Sequence, residues 1–240
     1  MNIEVILSPR LYDGRQLKCQ HVSVAVDILR ATSAICAAFV AGVAEIVPLD
    51  SLEPLSLFRE RGYTLAAERN GEKVNGAACG NSPTEYLSMD LTGQRLAYST
   101  TNGTVSILRA ADSRLLLVGA FANLGALAET IAAAGEEQDI VVLCSGWKGD
   151  PSIEDTLFAG ALIDRLLRLF PNLQLVNDAA MMALDLWHCA SSDLYSYCLK
   201  ATHVHRLQRL GCDADIRWAL MTDTCRVVPR FMNGKLVVDC

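Results

Sequence analysis

The stretch 22-VSVAVDILRATSAICAAFVAGVAEIVPL-49 decides how this chain folds. Residues 22–26 are small or β-branched and read as a strand, residues 32–41 repeat apolar side chains at helical spacing, and 46–49 return to a short apolar run. Strand, helix and strand in direct succession are the repeating unit of a layered α/β sheet. Between the first strand and the helix, Asp27-Ile28-Leu29-Arg30-Ala31-Thr32 inserts a carboxylate, a guanidinium and a hydroxyl. Open α/β sheets bind ligands in loops of this kind, where a helix N-terminus offers free N–H groups to an anion.

The same alternation continues on both sides. Strands are expected over 3–7, 65–67, 96–98, 115–118 and 140–143, and helices over 52–61, 123–134 and 153–170. Ser82-Pro83-Thr84-Glu85 carries the marks of a capping box, with an N-cap serine, a proline at the first helical position and a glutamate placed to reach back. Ser152-Ile153-Glu154-Asp155 reads as a second capped start. Near the end, runs over 227–231 and 236–238 flank Met232-Asn233-Gly234, and Asn-Gly supplies the positive φ values of a tight hairpin, expected as an antiparallel sheet edge. No linker or charged tract divides the chain, so a single domain over 1–240 is expected, with 112–138 as the midpoint if it has two α/β halves.

Composition narrows the function. The chain has 240 residues, 51% of them hydrophobic, which is enough for a sizeable core. A net charge of -6 gives no footprint for nucleic acid or an anionic membrane, so any anionic ligand must be captured by local donors. The most apolar run, 34–43, is closed by Gly42 and Glu45, well short of the ~20 residues of a membrane span. Glu4, Arg10, Asp13 and Arg15 interrupt the opening segment, unlike a secretory signal. Nine cysteines from Cys19 to Cys240, an odd number without a C-x-x-C pair, are expected as reduced core residues of a cytoplasmic protein.

Four more polar, glycine-containing loops recur, Glu68-Arg69-Asn70-Gly71, Ser99-Thr100-Thr101-Asn102-Gly103-Thr104 and Cys144-Ser145-Gly146-Trp147-Lys148-Gly149 after expected strands and Gly80-Asn81-Ser82 leading into the capped helix. Hydroxyls, amides and close-approach glycines are what a phosphate cradle needs, although each loop alone also suits an ordinary turn. Cys144 lacks the cationic cradle of a thiolate nucleophile, the next arginine being Arg165, and reads as a buried inert thiol. Asp27 lacks the second aspartate two residues on that haloacid dehalogenase-type phosphatases use, since Leu29 stands there. Asp213-Ala214-Asp215 reads as a solvated turn, and His203 and His205, ahead of Arg206 and Arg209, read either as an anion-facing group or as a solvated basic face. A metal in these oxygen-rich loops would be hard, Mg2+ rather than zinc, with Asp27 and Glu68 as its carboxylates. Glu68 and Arg69 pairing across a turn is the alternative.

Taken in order, these loops resemble the 2-phosphosulfolactate phosphatase family, the ComB-like enzymes associated with coenzyme M biosynthesis and sulfolactate formation. The resemblance runs from residues 24–32 through 68–71, 80–86, 99–104, 119–123, 144–146 and 152–155 to the Leu210-Gly211 and Val228-Pro229 regions. It departs at Val204-His205-Arg206, where the family pattern has a histidine followed by glycine. It implies a three-layer α/β/α sandwich with a mainly parallel or mixed sheet, and Mg2+-dependent hydrolysis of (R)-2-phospho-3-sulfolactate to 3-sulfolactate and phosphate. On that expectation Asp27 and Glu68 hold the metal, Arg30, Arg69 and the loop from Thr100 through Thr101 and Asn102 to Gly103 stabilise the phosphoryl oxygens, and Thr32, Asn70, Ser82, Asn81, Asn123 and Lys148 complete the substrate contacts. Two other readings stay open: a phosphatase for another small anionic phosphoester, and a non-catalytic binding protein for an anionic metabolite. A homo-oligomer is compatible with either.

Overall fold

The computed structural model describes residues 1–12, 21–135 and 138–239. In chain order the elements are β1 (Asn2–Ile6), α1 (Pro9–Tyr12), β2 (Val22–Val26), α2 (Ala31–Val40), β3 (Glu45–Leu49), α3 (Leu55–Glu60), β4 (Thr64–Arg69), β5 (Glu72–Lys73), α4 (Pro83–Leu87), β6 (Arg95–Ser99) and α5 (Gly103–Arg109). There follow β7 (Leu115–Gly119), α6 (Leu124–Ala133), β8 (Ile140–Cys144), α7 (Ile153–Leu169), β9 (Gln174–Leu175), α8 (Asp178–Ala190), α9 (Leu194–Cys198), α10 (Thr202–Arg209), α11 (Asp213–Ala219), β10 (Arg230–Met232) and β11 (Lys235–Val237).

All strands join one mixed sheet in the order β5-β4-β6-β3-β11-β10-β7-β2-β8-β1-β9. Five of them, β7-β2-β8-β1-β9, form one parallel group, and β4-β6-β3 form another with β5 antiparallel on its rim. The β10–β11 hairpin joins the groups by antiparallel pairing to β7 and β3. Asn233 and Gly234 take positive φ of 52° and 81°, as the Asn-Gly pair requires. The hairpin is therefore where it was expected in sequence but not in space: it is the middle of the sheet rather than an edge. The segment 112–138 supplies β7 and α6 to the five-stranded group.

Alternation along the central strands produces the layers. Val24 and Val26 of β2 and Val142 of β8 point into one core with α6, α7 and α8, while Ala25, Val141 and Leu143 point into the other with α2 and α5. Helices on both faces of a sheet make the α/β sandwich expected from the sequence. The second core also takes side chains from β3, β4 and β6, so the two parallel groups share it. Five strand steps separate β6 from β2, about 24 Å in a flat sheet. Yet Gly103, just after β6, packs directly on Asp27, just after β2. The sheet is therefore not flat, and the loops at the C-terminal ends of β6 and β2 meet.

Three local expectations change. Glu85 does not return to the Ser82 N–H; Ser82 Oγ accepts from Glu85 N at 3.1 Å, and the glutamate takes Gly80 N at 2.8 Å and Lys73 instead. Ser152 caps α7 without a side-chain hydrogen bond, because Glu154 and Asp155 are drawn inward to other partners. Helix α3 begins at Leu55 rather than 52, after Pro54. Among the described residues no helix is long and apolar enough to cross a membrane. The seven described cysteines are all free, and Cys19 and Cys240 lie outside the described residues.

Candidate active site

The loops after β2, β4, β6 and β8 and the loop ahead of α4 meet α10 around a cleft with an empty volume of ≈ 380 Å³, its mouth included. Its wall includes Asp27, Arg30, Glu68, Asn70, Asn81, Thr101, Asn102 and Lys148, together with Trp147, His203 and Arg206. Thus eight of the residues singled out in the sequence converge on one cavity.

Asp27 is held by its own loop. Thr32 Oγ1 donates to Asp27 O at 2.9 Å and accepts from Asp27 N at 3.1 Å, so Thr32 positions the aspartate from behind rather than facing the cleft. Asp27 Oδ1 accepts the Ala31 N–H at the start of α2, at 3.3 Å, and Oδ2 takes no hydrogen bond among the described residues. Burial pushes the Asp27 carboxyl up to about 6; the His203 charge and the Ala31 N–H oppose that rise, and the Glu68 and Glu154 charges add to it. Gly103 allows the approach, since a Cβ there would lie 2.8 Å from Asp27 Oδ2 and 2.4 Å from Ala31 Cβ.

Glu68 is anchored by donors: Gly71 N to Oε1, and Thr101 through its N–H to Oε2 at 3.3 Å and its hydroxyl to Oε1 at 3.2 Å. Asn70 and Gly71 make the tight β4–β5 turn, with φ of 54° and 83°. Asn81 Oδ1 accepts from Tyr98 Oη, which leaves its amide N–H groups to the cleft.

Arg30 does not pair with Asp27. It donates to Asp215 Oδ2 at 2.7 Å, to Cys212 Sγ at 3.1 Å and to Gly71 O at 2.6 Å, with both charged groups of the pair buried. Asp215 is therefore no solvated turn. It sits in α11 and also accepts from Ser82 Oγ and Thr84 Oγ1, each at 2.6 Å, which spends Ser82 on the scaffold.

Four further expected residues lie outside the cleft wall. Arg69 donates to Glu68 O and Ser99 Oγ, so it meets its neighbour's carbonyl rather than the Glu68 carboxylate. Thr100 exchanges hydrogen bonds with Thr104. Asn123 is fully enclosed, bonding Ala120 N, Val118 O and Val227 O. Gly103 contributes space rather than a donor. Cys144 is buried, and burial pushes its thiol well above the usual range.

A second group adjoins the first: His203 with Arg206, for which the sequence left an anion-facing role open, and Glu154 with Asp155, which it read only as the capped start of a helix. Asp155 accepts Ile28 N at 2.8 Å and Gly146 N at 2.9 Å, tying the β2 and β8 loops together. Burial, with Asp27 and Glu154 nearby, pushes its carboxyl well above the ordinary carboxylate range. His203 is buried with Nδ1 at 3.0 Å from Glu154 Oε1, and its ring stacks on Trp147 with centroids 5.7 Å apart. Arg206 and Lys148 flank the same indole at 5.4 and 4.9 Å. His203 and Arg206 stand three apart on α10, so helical spacing alone put them on one face.

Comparison with known proteins places the chain in a family. A family model described as 2-phosphosulpholactate phosphatase matches residues 7–234. A protein of Caldanaerobacter subterraneus named probable 2-phosphosulfolactate phosphatase is 32% identical over 228 residues, covering 92% of each chain. One of the same name from Prochlorococcus marinus is 38% identical over 213 residues, covering 86% of this chain and 87% of that one. Another, from Thermotoga maritima, is 29% identical over 236 residues and 98% of each chain. The matched span runs through every loop that lines the cleft, and the chain belongs to the 2-phosphosulfolactate phosphatase family, a family of phosphoric monoester hydrolases.

Proposed function

We propose that the cleft hydrolyses (R)-2-phospho-3-sulfolactate to 3-sulfolactate and phosphate, with Mg2+ held by Asp27 and Glu68. The strongest support is Asp27 itself, a desolvated carboxylate that shares the cleft with the Glu68 carboxylate and that, among the described residues, has one oxygen free of hydrogen bonds and no salt bridge to a cationic side chain. Those are the donors a hard cation takes. When bound, Mg2+ would neutralise phosphoryl charge.

The protein's own groups do the rest by positioning. A substrate with phosphate, carboxylate and sulfonate needs several donors, and the cleft provides Lys148, Arg206, the Asn81 amide and the backbone around Thr101 and Asn102. Most phosphoryl-transfer catalysis is this kind of placement and charge stabilisation. Phosphate release should appear with Mg2+ and vanish with a chelator. Release that ignores the chelator removes the metal, and equal rates on a panel of unsulfonated phosphoesters remove the named substrate.

Gly103→Ala tests the close approach. The new methyl group must push Asp27 and the start of α2 apart, so kcat is expected to fall by roughly 100-fold, as for a displacement of about 1 Å. Overpacking should also cost about 1–3 kcal/mol in thermal or urea unfolding. A variant with normal kcat would show that Asp27 need not sit where it does.

A further inference from the structure

We infer that His203 is the general acid that protonates the leaving oxygen of the ester, with Glu154 as its positioning residue; this rests on the phosphatase reading above. His203 lines the cleft together with Asp27 and is otherwise enclosed. Its Nδ1 is engaged by Glu154 Oε1 at 3.0 Å, which makes Nδ1 a donor and leaves Nε2 as the atom that exchanges a proton with the cleft. Nε2 has no hydrogen-bond partner among the described residues and is not among the enclosed polar atoms that lack one, so it is open.

Glu154 is almost wholly buried, its Oε2 accepts nothing, and its ion-pair partner among the described residues is His203. A buried carboxylate left without a partner is costly, and the imidazole N–H supplies one. Stacking on Trp147 removes the remaining freedom of the imidazole plane. A carboxylate that orients a histidine whose other nitrogen meets the substrate is the arrangement by which many hydrolases move protons. The other charges around the ring are Asp27 from the β2 loop, Lys148 beside the indole, and Arg206 on α10 itself.

The step balances. The bond from phosphorus to the ester oxygen breaks with its electron pair on that oxygen, and the proton on Nε2 passes to it, giving the alcohol. The water that supplies the new P–O bond loses a proton, and the imidazole recovers one, so the cycle closes with phosphate and alcohol as its only products. An alkoxide is a poor leaving group and needs this proton, whereas p-nitrophenolate leaves without one.

His203→Asn keeps an amide that can donate to Glu154 but cannot protonate a leaving group. With Mg2+ present, its kcat on alkyl phosphoesters, 2-phospho-3-sulfolactate included, is expected to fall roughly 100- to 10,000-fold. On p-nitrophenyl phosphate the expected loss is less than about 10-fold, which also reports that the variant is folded. Glu154→Gln should show the same selectivity with a smaller loss. Comparable losses on both kinds of ester overturn the proposal and leave the phosphatase reading standing, while a wild type that releases phosphate from neither overturns both.

Discussion

Asp27→Asn is expected to abolish phosphate release and, at neutral pH, to raise the stability of the metal-free protein. The folded-state carboxyl is pushed from 3.8 up to about 6, so between those values the folded chain binds a proton that the unfolded chain has released. Stability therefore falls as pH rises through this window and carries the full cost of an ionised Asp27 above it. The cost is on the order of 2–3 kcal/mol. Asparagine keeps an oxygen for the Ala31 N–H and removes the charge, so its melting temperature above pH 6 should exceed that of wild type. Added Mg2+ should stabilise the wild type and leave Asp27→Asn unmoved, because binding to the folded state alone raises stability. kcat should drop roughly 1,000-fold or more. Melting curves from pH 4 to 8, with and without Mg2+, check this, and a variant less stable than wild type at pH 7.5 would contradict it.

Asp215→Ala should be the most destabilising single change near the cleft. It leaves Arg30 charged and buried with only Cys212 and Gly71 to meet it, and takes an acceptor from Ser82 and Thr84 at the start of α4. Removing one partner of a buried pair typically costs about 3–5 kcal/mol. Replacing both partners by apolar residues of similar volume, Arg30→Met with Asp215→Leu, should restore much of the stability, since both charges then leave the interior together. Urea midpoints of the single and double variants measure this. A single-variant loss under about 1 kcal/mol would mean that the pair does little.

Much of the fold was legible because it is local. The strand at 22–26 and the others at 46–49, 115–118 and 140–143 were visible as short apolar runs, and the helices at 32–41 and 153–170 as periodic ones. The Asn233-Gly234 turn was equally plain, since few other residues accept both positive φ values. What stayed hidden depends on partners distant in sequence. Asp215 looked solvated because nothing near residues 213–215 reveals Arg30, 185 residues earlier. Glu154 and Asp155 looked like capping residues because the first turn of a helix commonly holds acids. Asn123 belonged to a polar loop with the composition of a binding site, yet its amide is consumed by three backbone groups.

The sequence by itself determined which loops are polar and that most of them follow strands, which is why an anion site was expected at the C-terminal edge of an α/β sheet. Only the tertiary structure decided which of those loops meet. The curvature of the sheet brings Glu68 and Thr101 of one parallel group to Asp27 and Lys148 of the other, and the fold pairs Arg30 with Asp215 rather than with Asp27. The physical reason is that a side chain's type sets what it can bind, while burial and the partners that reach it first set what it has left to offer.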